Sequence, residues 1–431
     1  MAARDADHGA EAAPVGETVA RAARERSEQE RETIGATAEG RKDRCGFLDT
    51  GFHPADALIE AATELLSVEP PSAVSGRRIA EAAGVNYAQI HRHFGSKREL
   101  CRQVLDRLSD AFVADAFPPG ALVPTPGIVI RHDSFVRVLT QIQLDQATLT
   151  LRPEHPIIHR YSTGMKTLRP ELTSDALDTL VALSCAMQLG ISIHRVPLVR
   201  SAGLDDDAHL VDRELVLAIE YLHAGRGPFA GGCFASRRLH VRGPQPPTRS
   251  RVTGRAQAER LLVAAAVDLL ASRTPSSISG RQLAARAGVN YGLIHHYFGS
   301  ASEVLAQASR LIRDRYYANE SGPGLIPDFF SMRAHPGYVR ALTHIALDAK
   351  LAATGDHFPV VVALLGRHRR RHGEPTASER CRYLLVAAAQ FAWSLFEPLF
   401  ATALGRNPRE LEPQAATLLA RMLSFDEYPA P

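Results

Sequence analysis

Apolar residues recur at helical spacing along most of the chain, in two series with the same rhythm. From Pro54, the residues Ala57, Leu58, Ala61, Ala62, Leu65 and Leu66 line one face of a helix that Pro70-Pro71 stops. Ser75 is a suitable N-cap for a short second helix turning Ile79, Ala80 and Ala83 inward. Gly84 follows at the position where a left-handed residue closes a helix. Asn86 caps a third helix holding Ile90 and Phe94 as core, and Gly95-Ser96 turns into a longer fourth. Two short helices joined by a tight glycine-containing turn predict a helix-turn-helix. Residues 101–224 and 305–425 continue helical, and two long apolar helices close each of these stretches: 176–195 and 209–223, then 378–404 and 408–423.

The second series is a copy of the first. Val85-Asn86-Tyr87-Ala88-Gln89-Ile90-His91-Arg92-His93-Phe94-Gly95-Ser96 returns 204 residues later as Val289-Asn290-Tyr291-Gly292-Leu293-Ile294-His295-His296-Tyr297-Phe298-Gly299-Ser300. Over 58–100 against 262–304, 22 of 43 residues are identical without a gap. That spacing is too long for a solenoid unit, whose period is about 20–50 residues, so a whole domain was duplicated. The regions that follow are related as well: 136–145 parallels 339–348.

Ile79-Ala80-Glu81-Ala82-Ala83-Gly84-Val85-Asn86-Tyr87, running through to His93-Phe94-Gly95-Ser96-Lys97-Arg98-Glu99-Leu100, resembles the DNA-binding segment of the tetracycline-repressor (TetR) family. The copy from Gln282-Leu283-Ala284 to Phe298-Gly299-Ser300 resembles it equally, with Ile294 and Phe298 as core. The resemblance implies an all-α fold of two protomer units in one chain. Each unit has an N-terminal helix-turn-helix domain and a helical ligand-sensing and dimerising body. The expected organisation is a disordered extension (1–50), a first reader (51–100) and its body (101–224), a basic linker (225–255), then a second reader (256–304) and its body (305–425). The last two long helices of each half are expected to pair as a four-helix bundle, making the chain an intramolecular pseudodimer; a dimer of chains, with four readers, is the other arrangement open.

A helix set in the major groove turns its N-terminal residues to the base edges. By the resemblance, Tyr87, Ala88, Gln89 and Arg92 occupy base-reading positions, matched in the second copy by Tyr291, Gly292, Leu293 and His296. Gln pairs with adenine and Arg with guanine, each pairing worth about 1–3 kcal/mol of discrimination. Arg77 and Arg281, behind the capping residues Ser75 and Ser279, match a position that reaches a base or phosphate. His91, His93 and Lys97 resemble the phosphate-clamping set, with His295 and Tyr297 as partners in copy two. Asn86 and Asn290 offer side-chain amides and helix-start N–H groups to phosphate. Copy two departs at Ala301 and Ser302, in place of Lys97 and Arg98, which weakens its expected phosphate grip. Unequal readers imply an imperfect palindrome as operator.

Composition adds less. At 45% hydrophobic and 23% charged residues the chain is ordinary for a globular protein, and a net charge of +3 identifies no partner. Residues 1–50, rich in Ala, Glu, Arg and Gly, are expected to be disordered. The five cysteines show no CxxC and no Cys/His cluster, and His91 and His93 point apart on a helix, so neither a metal nor any other cofactor is expected. No Gly-rich phosphate loop or nucleophile triad suggests an enzyme. With no run of 18 uncharged apolar residues, the expectation is a soluble, cytoplasmic protein without a membrane partner. Residues 225–255 hold seven arginines and no acid. They read either as a solvated tether or as an arm laying Arg249, Arg251 and Arg255 on DNA. Arg367-His368-Arg369-Arg370-Arg371-His372 reads either as a solvated helix end or as a pocket for an acidic ligand. The expected partners are double-stranded operator DNA and an unidentified small-molecule effector. His344, Phe391, Trp393 and Phe396 are candidate pocket residues in the second half, with Met187 and His194 in the first; at helical spacing such residues are more often core. The function expected is a ligand-responsive transcriptional repressor, against the alternative of a protein-interaction module with one degenerate reader.

Overall fold

The computed structural model describes residues 53–145, 155–224, 254–320, 329–348, 351–352 and 358–423. The extension 1–50 and the linker up to residue 253 lie outside the described residues. Among those described there is no strand; the fold is all-α.

Local chemistry sets the helix ends. Pro54 opens α1 (Pro54–Val68), which buries Leu58, Ala61, Ala62 and Leu66. Ser75 caps α2 (Gly76–Ala82) by accepting from the Arg78 amide, and Gly84 closes it with φ +65°. The Asn86 side chain accepts from the Ala88 amide at 2.8 Å at the start of α3 (Ala88–Phe94), and Ser96 caps α4 (Lys97–Ala116). The first body adds α5 (Asp133–Leu144), α6 (Pro156–Leu168), α7 (Ser174–Ser201) and α8 (Ala208–His223).

The second half repeats this order. Its elements are α9 (Arg255–Leu270), α10 (Gly280–Ala287), α11 (Gly292–Phe298), α12 (Ala301–Glu320), α13 (Pro336–Leu347), α14 (Pro359–His372), α15 (Ala377–Leu404) and α16 (Glu412–Met422). Asn290 again accepts from the N–H two residues on, at 2.8 Å. Ser279 and Gln282 form a reciprocal capping box.

The core of the molecule is the pairing of α7 with α15, one helix from each half, flanked by α8 and α16. By length and composition alone, both long helices are apolar enough to cross a membrane, but here they spend that surface on each other and on their neighbours. At Gly190 the two backbones nearly touch: a Cβ placed there would stand 2.0 Å from the Ala388 carbonyl oxygen. Polar contacts join the halves around this seam. Arg406 reaches Asp175 at 2.6 Å, and Arg380 donates to the Gly203 carbonyl at 3.1 Å. A reciprocal pair marks the pseudo-twofold relation: Arg137 donates to the Leu347 carbonyl at 3.2 Å and Arg340 to the Leu144 carbonyl at 2.9 Å.

Sequence pattern places the end of the first long helix at Arg195, whereas α7 runs on to Ser201 with Pro197 inside it. Proline removes one backbone donor, and close packing of Leu198 and Val199 holds the last turn in place. Pro398 sits within α15 in the same way.

Candidate nucleic-acid interface

The readers present the exposed face of α3 and of α11, each fixed from below by its core. Ile90 and Ile294 are fully buried and Phe94 nearly so, while Phe298 is half-buried against the same cluster. Above them, Ser75, Arg77, Asn86, Tyr87, Ala88, His91, Arg92 and His93 are exposed and Gln89 is half-buried. In the second reader Ser279, Arg281, Asn290, Tyr291, Gly292, His295 and His296 are exposed, and Leu293 and Tyr297 half-buried.

Each reader places a tyrosine at the start of its recognition helix in the same three-point mount. Tyr87 is 40% exposed and Tyr291 44%, so both rings are open to a partner at the surface. The Tyr87 hydroxyl meets His91 Nε2 at 3.3 Å, and His91 Nδ1 in turn meets the Gly95 carbonyl at 3.0 Å. In copy two the corresponding distances are 3.1 Å and 3.1 Å, through His295 and Gly299. The carbonyl can only accept, so Nδ1 donates to it, and in the neutral ring Nε2 accepts from the phenol. The third point is a glycine. A Cβ at Gly76 would stand 2.7 Å from Tyr87 Cε2, and one at Gly280 the same distance from Tyr291 Cε2. The ring lies against the first turn of the preceding helix because that position has no side chain. His91 and His295, resembling phosphate clamps in sequence, are therefore found with both ring nitrogens engaged in positioning a tyrosine.

The cations divide into those already used and those left over. Arg78 is held by Glu69 through two contacts of 2.8 and 2.9 Å, whereas its neighbour Arg77 makes no ion pair among the described residues. Arg92 and Arg281 are likewise unpaired there, whereas Arg286 is paired with Asp268 at 2.9 Å. Lys97 is placed differently from the phosphate-clamp expectation. Its ammonium donates to the carbonyls of Pro71 at 2.8 Å and Val74 at 2.9 Å, tying down the loop between α1 and α2. An ammonium has three donors, so this leaves at most one for DNA. Copy two has Ala301 at this place, and a 3-10 turn over Pro275–Ser277 shapes its loop instead. Arg255 belongs to α9: it pairs with Glu259 at 2.7 Å and lies 5.5 Å from the Tyr297 ring. Arg249 and Arg251 lie outside the described residues.

The first reader is joined to its body through α5. Gln141 donates to the Val68 carbonyl at 2.8 Å, and Asp145 accepts from the Ser72 amide at 2.6 Å. These contacts tie α5 to the loop that leads into α2, whose first turn carries Arg77.

The six residues with which the sequence furnishes an effector pocket lie in the interior. Met187, His194, His344, Phe391, Trp393 and Phe396 are each at most 1% exposed. His194 packs on Phe391 with ring centroids 4.8 Å apart and planes tilted by 32°, bridging the halves, and Trp393 packs on Phe330 at 5.0 Å. None lines the cavity of about 50 Å3 that opens in the first body. Burial lowers the His194 and His344 pKa values to about 3, so both rings are neutral. The basic run 367–372 ends α14. His368 is buried, its Nδ1 3.1 Å from the Tyr383 hydroxyl, and Arg369 pairs with Glu374.

Gly76 and Gly280 escaped the sequence reading as site residues, although both stand among the positions identical between the copies. That shared identity was the available signal. The cavity residues gave none, because tertiary packing alone brings them together.

Two stretches, 58–104 and 262–308, match the family described as bacterial regulatory proteins, tetR family. Among curated proteins the chain is similar to the HTH-type transcriptional repressor Rv3405c of Mycobacterium tuberculosis (strain ATCC 25618 / H37Rv). The HTH-type transcriptional regulator Mb3439c of Mycobacterium bovis (strain ATCC BAA-935 / AF2122/97) is similar to the same degree. Each is 30% identical over 168 residues, which cover 38% of this chain and 85% of the relative. Each relative thus matches a stretch shorter than half of this chain.

Proposed function

The chain belongs to the tetR family of bacterial regulatory proteins and is a DNA-binding transcription regulator, and from that premise we propose that it is a single-chain repressor reading an imperfect palindrome with two unequal readers. The observation that carries this reading is the α7–α15 seam, which pairs the two halves of one polypeptide. Two-fold regulators read half-sites about one helical turn, roughly 34–36 Å, apart or a multiple of it. A linker of about 30 residues spans about 30 Å and holds the second half at an effective concentration in the mM range. The partner is then permanent, and no second chain is needed.

The DNA-contacting set proposed is Tyr87, Ala88, Gln89 and Arg92 for bases, with Ser75, Arg77, Asn86 and His93 on phosphate. In the second reader it is Tyr291, Gly292, Leu293 and His296, with Ser279, Arg281, Asn290 and Tyr297 on phosphate. His91 and His295 serve that set by holding the tyrosines. Gln89 matched by Leu293 and Arg92 matched by His296 give the readers different base chemistry, hence different half-sites. An effector bound in the body releases DNA by favouring reader positions that do not fit the groove, and the coupling is reciprocal. The support for this is α5, which connects the body to the first reader.

Selection of bound sequences from a random pool, with light scattering of the protein–DNA complex, tests the reading. The expected result is an asymmetric two-part site bound by one chain. A perfect palindrome, or two chains per site, would overturn it.

A further inference from the structure

We propose that Tyr87 and Tyr291 each read an exocyclic amino group in the major groove, adenine N6 or cytosine N4, at the matching base pair of the two half-sites. The inference rests on the regulator reading above and names the chemical group that its two tyrosines recognise. The mount under each ring decides the direction of its hydrogen bond. The Tyr87 hydroxyl stands 3.3 Å from His91 Nε2, and His91 Nδ1 is 3.0 Å from the Gly95 carbonyl. Nδ1 donates to that carbonyl, so in the neutral imidazole Nε2 is left as an acceptor and takes the phenol proton. A phenol has a single proton to give. With that proton on the histidine side, the oxygen keeps only acceptor capacity for DNA. Phosphate oxygens, guanine O6 and N7 and thymine O4 are acceptors themselves and offer it nothing. The amino groups of adenine and cytosine are the donors on the major-groove edge.

The second reader repeats the device. Tyr291 meets His295 Nε2 at 3.1 Å, and His295 Nδ1 meets the Gly299 carbonyl at 3.1 Å. Ring centroids are 5.2 Å apart in both pairs, with planes at 89° and 85°. Both phenol rings lie on a bare helix turn, since a Cβ at Gly76 or Gly280 would stand 2.7 Å from the tyrosine Cε2. Elsewhere on the same face the copies diverge, with Gln89 matched by Leu293 and Arg92 by His296. The imperfect operator is therefore symmetric where the tyrosines touch it and asymmetric beside them. Every base pair offers an amino group in the major groove, but from one strand only. The contact thus tells A·T from T·A and C·G from G·C, and the corresponding strand of each half-site carries the amino base.

The test uses the full chain at about pH 8.5, where an ordinary imidazole is neutral, on the operator selected from a random pool. Selections repeated with Y87F and Y291F locate the base pair at which each variant loses its preference. There adenine is replaced by unsubstituted purine, or cytosine by 2-pyrimidinone, which deletes the amino group. The deletion should weaken the wild type about fivefold more than Y87F on one half-site, and about fivefold more than Y291F on the other. Comparison with the variants subtracts the cost of lost base pairing. H91F and H295F free the phenol proton, so each should lose the preference for the amino base, which a general loss of affinity would not mimic. If a tyrosine variant melts early, its histidine counterpart decides. A loss in Y87F and Y291F that is uniform across sequences would mark a phosphate contact and overturn the proposal. Coupling to a purine N7, read with 7-deazapurines, would overturn it too, as would different bases at the tyrosine positions of the two half-sites. Absence of any specific DNA binding by the wild type would instead sink the regulator reading itself.

Discussion

Replacing Gly190 by alanine adds one methyl group where the two long helices come closest. Its Cβ would stand 2.0 Å from the Ala388 carbonyl oxygen and 2.5 Å from the carbonyl carbon. Non-bonded atoms settle at about 3.5–4.0 Å, so the helices must part by more than about 1 Å. Overpacking of this kind costs about 1–3 kcal/mol, and occasionally more. The upper end applies here because the obstacle is backbone, which cannot rotate away. Part of that cost falls on the interface that sets the positions of the two readers. The assay is urea unfolding of G190A followed by Trp393 fluorescence, with operator affinity measured in parallel. The control is Gly337→Ala in α13, where a Cβ would meet only Ala271 Cβ at 4.0 Å; it should be neutral or stabilise by about 0.5–1 kcal/mol. A lowered midpoint and weakened DNA binding in G190A alone are expected. An unchanged midpoint in G190A would refute the close approach of the two halves.

Gly76→Ala and Gly280→Ala should each displace a tyrosine from its mount, weakening operator binding about tenfold while shifting the melting temperature little; unchanged affinity by gel shift would detach the tyrosines from recognition. Arg77→Ala and Arg281→Ala should each lower the salt dependence of binding by about one charge and lighten the footprint on one half-site only. Lys97→Ala should act on stability, because it frees two carbonyls; a loss of about 1–3 kcal/mol in denaturant with an unchanged salt slope is expected, and the reverse pattern would restore Lys97 to the phosphate. Burial lowers His155 and His223 to about 4 and His194 and His344 to about 3, from 6.5. Between pH 6.5 and those values the unfolded chain binds the extra protons. Stability should therefore fall as pH drops through that window, by up to about 1.4 kcal/mol per pH unit for each histidine. Calorimetry from pH 7 to 4 checks the slope.

The readers were legible because their signals are local. Ser75, Asn86, Gly95 and their counterparts act within three residues of themselves, and the observed caps fall on those residues. Duplication made them doubly visible. The roles of His91 and Lys97 were not legible: family position suggests phosphate, but their partners, Tyr87 on the same helix and Pro71 and Val74 in another loop, depend on rotamers and a tertiary approach. The effector candidates lie in the core for a related reason. Large rings at helical spacing mark burial, and Phe391 and Trp393 are core because they fill space.

A symmetric dimer built from one gene must accept every substitution twice, and a residue on its axis must fit against itself. By the register that matches Gln188 with Gln390, the twin of Gly190 is Ala392, so the two long helices already differ at matching positions of the seam. Fusion has released this seam from self-complementarity, so a change in either half can be tried by evolution, or by an engineer, with its mirror position left untouched.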